Sequence, residues 1–228
     1  MIVLGIDTSG YANAVGVVDA ERVLAKDTFT AKTDSLEQIV DNIDAVLKRA
    51  GLALRDVGGI GVGLGPGSWT GIRVGVTVGK MLAFSTGKPV SGIATLEALA
   101  FGLRNESGLI CAVVSAGIKD AVYAGFYRAR GGALIREGDY FAGDIKSLAA
   151  LLKEPVSLIG DGADEYALVL PQKMIVKAIQ SKPDGAAIAS LAAARLEKGQ
   201  SDDALSLTPL YLKESTAKVF TNKYTGAK

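Results

Sequence analysis

The chain of 228 residues contains no histidine and only one cysteine. Without histidine, the sequence excludes Ser-His-Asp and Cys-His nucleophilic catalysis and every metal site that needs an imidazole ligand. Because Cys111 has no second cysteine to pair with, no intrachain disulfide can form, which agrees with a reducing compartment. The groups left for chemistry are carboxylates, hydroxyls, lysine, arginine and backbone amides, and no metal site is predicted.

The sequence also lacks an excess of charge of one sign. Its 25 Lys and Arg balance 24 Asp and Glu, so no overall field draws the chain toward nucleic acid or a membrane. No run of 18 apolar residues predicts a transmembrane helix, and the N-terminus carries no basic leader of the secretory type. We therefore expect a cytoplasmic protein with no membrane contact.

Hydrophobic periodicity predicts the element order βββαβαβα twice along the chain. In the first half we predict strands at 2–7, 13–19, 22–30, 58–63 and 89–93 and helices at 35–50, 71–85 and 95–103. In the second half we predict strands at 109–115, 122–128, 133–141, 156–159 and 174–178 and helices at 144–152 and 184–198, with a short helix before the last strand. The repeat predicts an α/β fold of duplicated actin-like (ribonuclease H-like) domains, at 1–105 and at 106–228 with a polar tail.

The second predicted helix carries a stripe of small residues. Gly71, Gly75, Gly79 and Ala83 are four residues apart and therefore share one face. Each glycine inside a helix costs about 0.5–1 kcal/mol relative to alanine, so the stripe needs a compensating contact. Either it packs on the chain's own sheet or it faces a helix of a partner. We favour the partner, and then expect Gly75→Leu to disrupt partner binding while the monomer stays folded.

Two turns, one in each half, could contact a nucleotide across an interdomain cleft. They are formed by Asp7, Thr8 and Ser9 after the first strand and by Gly160, Asp161 and Gly162 after a buried strand. Both sequences are equally typical of ordinary turns. The turn at 65–70 precedes a helix, so its free amides could hold an anion or could simply fix the helix angle.

The run Gly65–Gly75 (GPGSWTGIRVG), which follows I-D-T-S at 6–9, closely resembles the TsaB (YeaZ) family. The likeness extends over most of the chain, with further landmarks at 92–97, 122–123 and 209–212. Members of that family belong to the actin-like ATPase superfamily and help to make N6-threonylcarbamoyladenosine at position 37 of certain tRNAs. The resemblance implies a subunit that is not an enzyme on its own.

The resemblance also implies a set of partners. They are the catalytic paralogue TsaD, the ATPase TsaE and, for the chain alone, a second copy as a homodimer; tRNA is contacted only through the complex. TsaD carries two metal-binding histidines four apart, and those positions fall here on Thr95 and Leu99, neither of which can replace a histidine. No cofactor is required, although ATP or ADP could lie in the cleft or at the partner interface.

By the same resemblance, the partner interface lies on the first two helices. We predict that it contains Leu36, Ile39, Val40, Ile43, Thr70, Gly71, Arg73, Val74, Gly75, Val78, Gly79 and Leu82. Two departures from the family pattern stand out. Asp34 replaces a common histidine, and residues 115–117 (Ser-Ala-Gly) replace Asp-Ala-Arg, which argues against a cleft function of that loop. The alternative is an autonomous small-molecule kinase of the same fold that uses Asp7 and Asp161.

Overall fold

The computed structural model describes the backbone of residues 1–30 and 35–212 and the side chains of residues 1–29 and 38–212. Asp34, the side chain of Leu36 and the polar tail beyond residue 212 therefore lie outside the described residues. Among the helices within these ranges, none is long and apolar enough to cross a membrane.

The fold contains two mixed five-stranded sheets. The first has the order β3-β2-β1-β4-β5 and holds β1 (Ile2–Asp7), β2 (Ala12–Asp19), β3 (Arg22–Thr30), β4 (Gly59–Gly63) and β5 (Val90–Ile93). The second has the order β10-β9-β6-β7-β8 and holds β6 (Gly108–Ser115), β7 (Ala121–Arg130), β8 (Ala133–Asp144), β9 (Val156–Gly160) and β10 (Ile175–Gln180). The helices are α1 (Ser35–Arg49), α2 (Trp69–Thr86), α3 (Thr95–Phe101), α4 (Ile145–Leu151), α5 (Ala163–Val169) and α6 (Gly185–Leu196).

Both sheets place their strands in the same way. In each, the first three strands are antiparallel, and the fourth and fifth run parallel to the first strand. The predicted βββαβαβα repeat and the duplicated actin-like fold class are confirmed.

The first sheet is covered on one face by α1 and α2. Alternate residues of β1 and β2 point toward these helices, because successive side chains of a strand lie on opposite faces. Leu4, Ile6 and Val15 thus pack with Ile39 and Val78 in one buried cluster. The N-terminal edge of α2 meets the carboxyl ends of β1 and β4, which is where the candidate site lies.

The opposite face of the first sheet is covered by a helix from the other half of the chain. Helix α6 packs on β1, β2, β4 and β5, whereas α3 packs on the second sheet. The two helices meet between the sheets, where Arg195 Nη2 donates to Glu97 Oε2 over 2.7 Å. The predicted boundary between residues 105 and 106 thus separates the strands but not the cores, because each half supplies the helix that covers the other's sheet.

Helix α6 approaches the first sheet closely because small residues face each other. Alanines of α6 lie over glycines of the strands, and a Cβ atom on Gly61 would be 2.7 Å from Ala192 Cβ. A Cβ atom on Gly16 would be 2.7 Å from Ala186 Cα. Real Cβ atoms do not approach so closely, so glycine at these positions sets the distance between helix and sheet.

After α6, residues 200–212 return across the first sheet to the start of α2. Asp202 pairs with the edge strand β5, donating its amide to Val90 O and accepting Gly92 N, both at 2.8 Å. The Lys80 ammonium group donates to Leu205 O at 3.0 Å and Leu207 O at 2.9 Å. We call residues 200–212 the C-terminal strap; it protects an edge that would otherwise be open to pairing.

Candidate functional site

Asp7 ends β1 as a fully buried carboxylate. Its Oδ1 accepts the Ser9 amide at 2.8 Å, and its Oδ2 accepts the Thr95 hydroxyl at 2.8 Å. Ser9 Oγ lies 3.0 Å from Thr95 Oγ1, which closes a small network of hydroxyls over the carboxylate. Burial raises the pKa of Asp7 above its ordinary value, and the hydrogen bonds from Ser9 and Thr95 partly oppose that effect. Asp7 therefore holds the turn together and does not face the cleft.

Thr8, the next residue, is pressed against the glycine stripe of α2. Its Oγ1 donates to Gly71 O at 2.6 Å. A Cβ atom on Gly75 would lie closer than 3.0 Å to Thr8 Oγ1, and one on Gly79 equally close to Val62 Cγ2. The stripe thus faces the chain's own strands, and the prediction that it faces a partner is wrong. The compensating contact for its glycines is the close approach of α2 to β1 and β4.

The other residues predicted for a partner interface divide between the core and the surface. Ile39, Ile43, Val74 and Val78 are buried in the cluster beneath α1 and α2, so they hold these helices to the sheet and to each other. Leu82 is half-buried against the same cluster. Val40, Thr70 and Arg73 are exposed and remain available for an interface, which stays a prediction.

The turn at 65–68 is held against the end of β1. The Ser68 amide donates to Ser9 O at 2.7 Å, and the Ser68 hydroxyl caps α2 by accepting the Gly71 amide at 3.3 Å. A Cβ atom on Gly67 would meet Ser9 O closer than 3.0 Å, so only glycine permits this approach. The Ser68 amide is therefore not available to an anion, and the contact of the turn with β1 favours the second of the two interpretations, that the turn fixes the angle of α2.

The corresponding turn of the second half lies after β9. Gly160 allows the chain to pass against Val113 O, where no side chain would fit. Asp161 Oδ1 accepts the Ser115 amide at 2.7 Å, which joins this turn to the end of β6. Gly162 is the N-cap residue of α5 and lies in the left-handed region (φ 76°), and its amide donates to Gln180 Oε1 at 2.9 Å. Burial raises the pKa of Asp161, and the Ser115 amide partly opposes that effect.

The two turns face each other across an interdomain cleft of about 470 Å³. Of the six residues predicted to contact a nucleotide, Ser9 and Asp161 line this cleft; the others do not. Three aromatic side chains also line the cleft and were not predicted as site residues, namely Tyr11, Trp69 and Tyr123. Tyr11 directly follows Ser9–Gly10, and Trp69 follows the glycine turn. An aromatic residue next to a predicted turn was therefore the signal in the sequence that could have identified these two.

A nucleoside triphosphate does not fit the residues of this cleft. Among the described residues that line it, Asp161 is the only charged one, and there is neither lysine nor arginine to balance phosphate charge. Asp7, which was predicted to contact a nucleotide, is sealed beneath Ser9 and Thr95. The kinase alternative, which uses Asp7 and Asp161 together, has no support in this geometry.

The two positions that match the paralogue's histidines are part of the packed interior. Thr95 is buried and holds Asp7, as described above, while Leu99 belongs to the cluster between α3 and the second sheet. Within the described ranges, no group of three or more carboxylate or thiol side chains is placed to hold a metal ion.

The chain is similar in sequence and in structure to several known proteins. The chain is 34% identical over 134 residues to the tRNA threonylcarbamoyladenosine biosynthesis protein TsaB of Bacillus subtilis, covering 59% of this chain and 58% of that protein. It is 35% identical over 107 residues to a tRNA N6-adenosine threonylcarbamoyltransferase of Tropheryma whipplei, covering 40% of this chain and 27% of that one. Both alignments span less than two thirds of the relative's length.

A solved structure agrees over a longer span. YeaZ from Pseudomonas aeruginosa superimposes with a TM-score of 0.78 at 25% identity, covering 92% of this chain and 99% of that one. The resemblance drawn from Gly65–Gly75 is confirmed by these relatives. A family model described as "TsaD: tRNA N6-adenosine threonylcarbamoyltransferase" matches residues 29–221. Since that match covers well over half of the sequence, the chain belongs to the TsaD threonylcarbamoyltransferase family.

Proposed function

We propose that this chain is a non-catalytic subunit of the machinery that makes N6-threonylcarbamoyladenosine in tRNA, and that it binds and supports the catalytic paralogue TsaD. The observation that carries the proposal is the use of Thr95 and Leu99. At the positions that match the paralogue's metal-binding histidines, one side chain holds Asp7 and the other fills the core. Relatives named for this biosynthesis supply the pathway.

The proposed contact surface is the outer face of α2 with the neighbouring part of α1. This face presents Met81 and Phe84, which are 65% and 70% exposed, together with Val40, Thr70 and Arg73. Large apolar side chains exposed close together are typical of protein–protein interfaces, and arginine is enriched there too. The inner face of α2 is fixed to the sheet by its glycines, so the helix presents a rigid surface.

In this role the chain needs no cofactor in its own cleft, and a nucleotide at the TsaD interface stays a prediction. Binding of the ATPase TsaE and contact with tRNA follow from assembly with TsaD, and the work takes place in the cytoplasm. Without TsaD, we expect the same apolar face to pair with a second copy of the chain, because pairing removes its exposed apolar side chains from water.

Reconstitution tests the proposal. TsaD and TsaE are assayed for tRNA modification with and without this chain, given the threonylcarbamoyl donor. We expect modification to depend on the chain; equal modification without it would contradict the proposal.

The interface is tested with Phe84→Glu, which places a charge on the outer face of α2. The matched control is Leu168→Glu, since Leu168 on α5 is 81% exposed but lies on the second domain. We expect Phe84→Glu to weaken TsaD binding by about tenfold or more, as at an apolar interface centre, and the control to leave it unchanged. Equal effects of the two variants would place the interface elsewhere.

A further inference from the structure

The interdomain cleft is a formed cavity that the proposed function does not use. Its volume of about 470 Å³ lies within the range of small-molecule sites. Both halves contribute to its walls, the first through the turns at 9–11 and 66–69 and the second through residues 114–117, Tyr123 and Asp161. Such a cavity accepts a ligand of limited size whose chemistry matches its lining.

The charge of the lining has one sign. Asp161 is the only charged residue among the described residues of the wall. The Ser115 amide fixes Asp161 Oδ1 at 2.7 Å, so the carboxylate is held at one place on the wall. A fixed, partly buried carboxylate repels anions and favours a cation that can donate hydrogen bonds to it.

Aromatic faces supply the second recognition element. Tyr11 is 80% exposed, which is unusual for a large ring and leaves its face free for a ligand. Trp69 stacks on Tyr211 of the C-terminal strap, with ring centroids 4.3 Å apart and an angle of 27° between the planes, so its indole is held in position. Tyr123 completes the aromatic part of the wall. Aromatic faces bind cations, and they stack well with a planar guanidinium group.

We propose that this cleft binds a guanidinium group, paired with the Asp161 carboxylate and stacked against the aromatic wall. Guanidinium is favoured over ammonium because it is planar, weakly hydrated and able to donate in two directions at once. The group is carried either by a small free guanidine or by an arginine side chain of a peptide, and the experiment separates these sources. The proposal is independent of TsaD binding, since it concerns the isolated chain.

The test uses matched pairs of probes of nearly the same shape, in which a neutral urea replaces the charged guanidinium group. One pair is butylguanidine and butylurea; the other is the peptide Ac-Gly-Arg-Gly-NH2 and the same peptide with citrulline. Amide and indole NMR resonances of Ser115, Gly117 and Trp69 are followed during titration. We expect the guanidinium probe of at least one pair to bind about tenfold or more tighter than its urea partner, as for a hydrogen bond to a charged group. Binding of butylguanidine without binding of the peptide identifies a free guanidine, and binding of the peptide as tight as that of butylguanidine or tighter identifies an arginine side chain.

Two variants locate the binding. Asp161→Asn keeps an oxygen for the Ser115 amide and is expected to weaken guanidinium binding by about tenfold or more. Asp164→Asn removes the same charge from an exposed position three residues away and is the control, with unchanged binding expected. Tyr11→Ala is expected to weaken binding about two- to fivefold through loss of the ring face.

Three results would overturn the proposal. They are equal binding of guanidine and urea probes in both pairs, unchanged guanidinium binding in Asp161→Asn, and inorganic triphosphate that moves the same resonances. The first and third comparisons use the unmodified protein, so they hold even if a variant folds poorly.

Discussion

The Thr8 side chain lies against Gly75 and occupies the space that a side chain on Gly75 would need. A Cβ atom there would lie closer than 3.0 Å to Thr8 Oγ1, and that oxygen is fixed by its 2.6 Å hydrogen bond to Gly71 O. Because this hydrogen bond holds Thr8 Oγ1 in place, α2 can lie this close to β1 only with glycine at position 75. This contact argues against the expectation that Gly75→Leu leaves the monomer folded, and we now expect that variant to destabilise the monomer.

The milder variant Gly75→Ala measures this contact. We expect it to reduce the free energy of unfolding by about 1–3 kcal/mol, as for an overpacked core position, despite the better helix propensity of alanine. Denaturant unfolding gives the value. The double variant Thr8→Ala with Gly75→Ala removes the oxygen that clashes, so the cost of the Gly75 change should be smaller in that background. Equal costs in both backgrounds would mean that another contact sets the spacing.

The close contact between α6 and the first sheet provides a second stability test. In Gly16→Ala the new Cβ atom would be 2.7 Å from Ala186 Cα, so the helix backbone itself must shift. We expect a loss of about 1–3 kcal/mol in the free energy of unfolding, with faster amide exchange in α6. The control is Gly58→Ala, whose Cβ atom would meet the flexible Met1 side chain at 2.9 Å. If Gly58→Ala reduced the free energy of unfolding as much as Gly16→Ala, the close packing of α6 on the sheet would not be the cause.

The sequence predicted the elements well because local signals fix them. The short turn between β2 and β3, the amphipathic spacing along α1 and the glycine turn before α2 are each contained within one stretch of the sequence. Local sequence does not determine which sheet the buried face of a helix packs on. The alanine-rich face of α6 and the apolar face of α3 are visible in the sequence, but periodicity does not say which sheet each one covers.

The same limit explains the candidate site. The sequence predicted turns after two strands at Asp7 and at Asp161, and the structure has both: Asp7 is the last residue of β1 and Asp161 directly follows β9. The partner that seals Asp7 is Thr95, 88 residues later, and only the fold brings them together. The glycine stripe likewise predicted a close contact on one helix face, while Thr8 and Val62, which fill it, come from two different strands.

Lys80 is expected to hold the C-terminal strap in place. In Lys80→Met the aliphatic stem remains, but the donors to Leu205 O and Leu207 O are lost. We expect amide exchange of Leu207 and Leu210 to become about three- to tenfold faster, because hydrogen bonds from a charged group are stronger than neutral ones. Lys48→Met is the control, since Lys48 pairs with Asp44 on the exposed face of α1. Unchanged exchange in the strap would show that its apolar contacts suffice.

Asp7 predicts an unusual dependence of stability on pH. Its pKa in the folded protein is raised above the ordinary 3.8, mainly by burial, so the folded state holds the proton more tightly than the unfolded state. The stability from this group is therefore complete below 3.8 and is lost as the pH rises through the folded pKa. In Asp7→Asn the amide oxygen can accept from Ser9 and the amide can donate to Thr95, and nothing titrates. The difference in unfolding free energy, variant minus wild type, should rise by about 1.4 kcal/mol for each pH unit between the unfolded and the folded pKa.

Asp144 is the control with the opposite sign. It caps α4 by accepting the amides of Lys146 at 3.0 Å and Ser147 at 2.9 Å, and the hydrogen bonds from Ser147, chiefly that from its hydroxyl, lower the pKa of Asp144. Its contribution is present above 3.8 and is lost as the pH falls through the lowered pKa, so the difference for Asp144→Asn should fall as the pH rises to 3.8 and stay level above it. Urea unfolding of the wild type and both variants between pH 3 and pH 8 measures the two slopes. Parallel slopes for the two variants would mean that Asp7 is not held as a buried carboxyl and that its network with Ser9 and Thr95 is open to water.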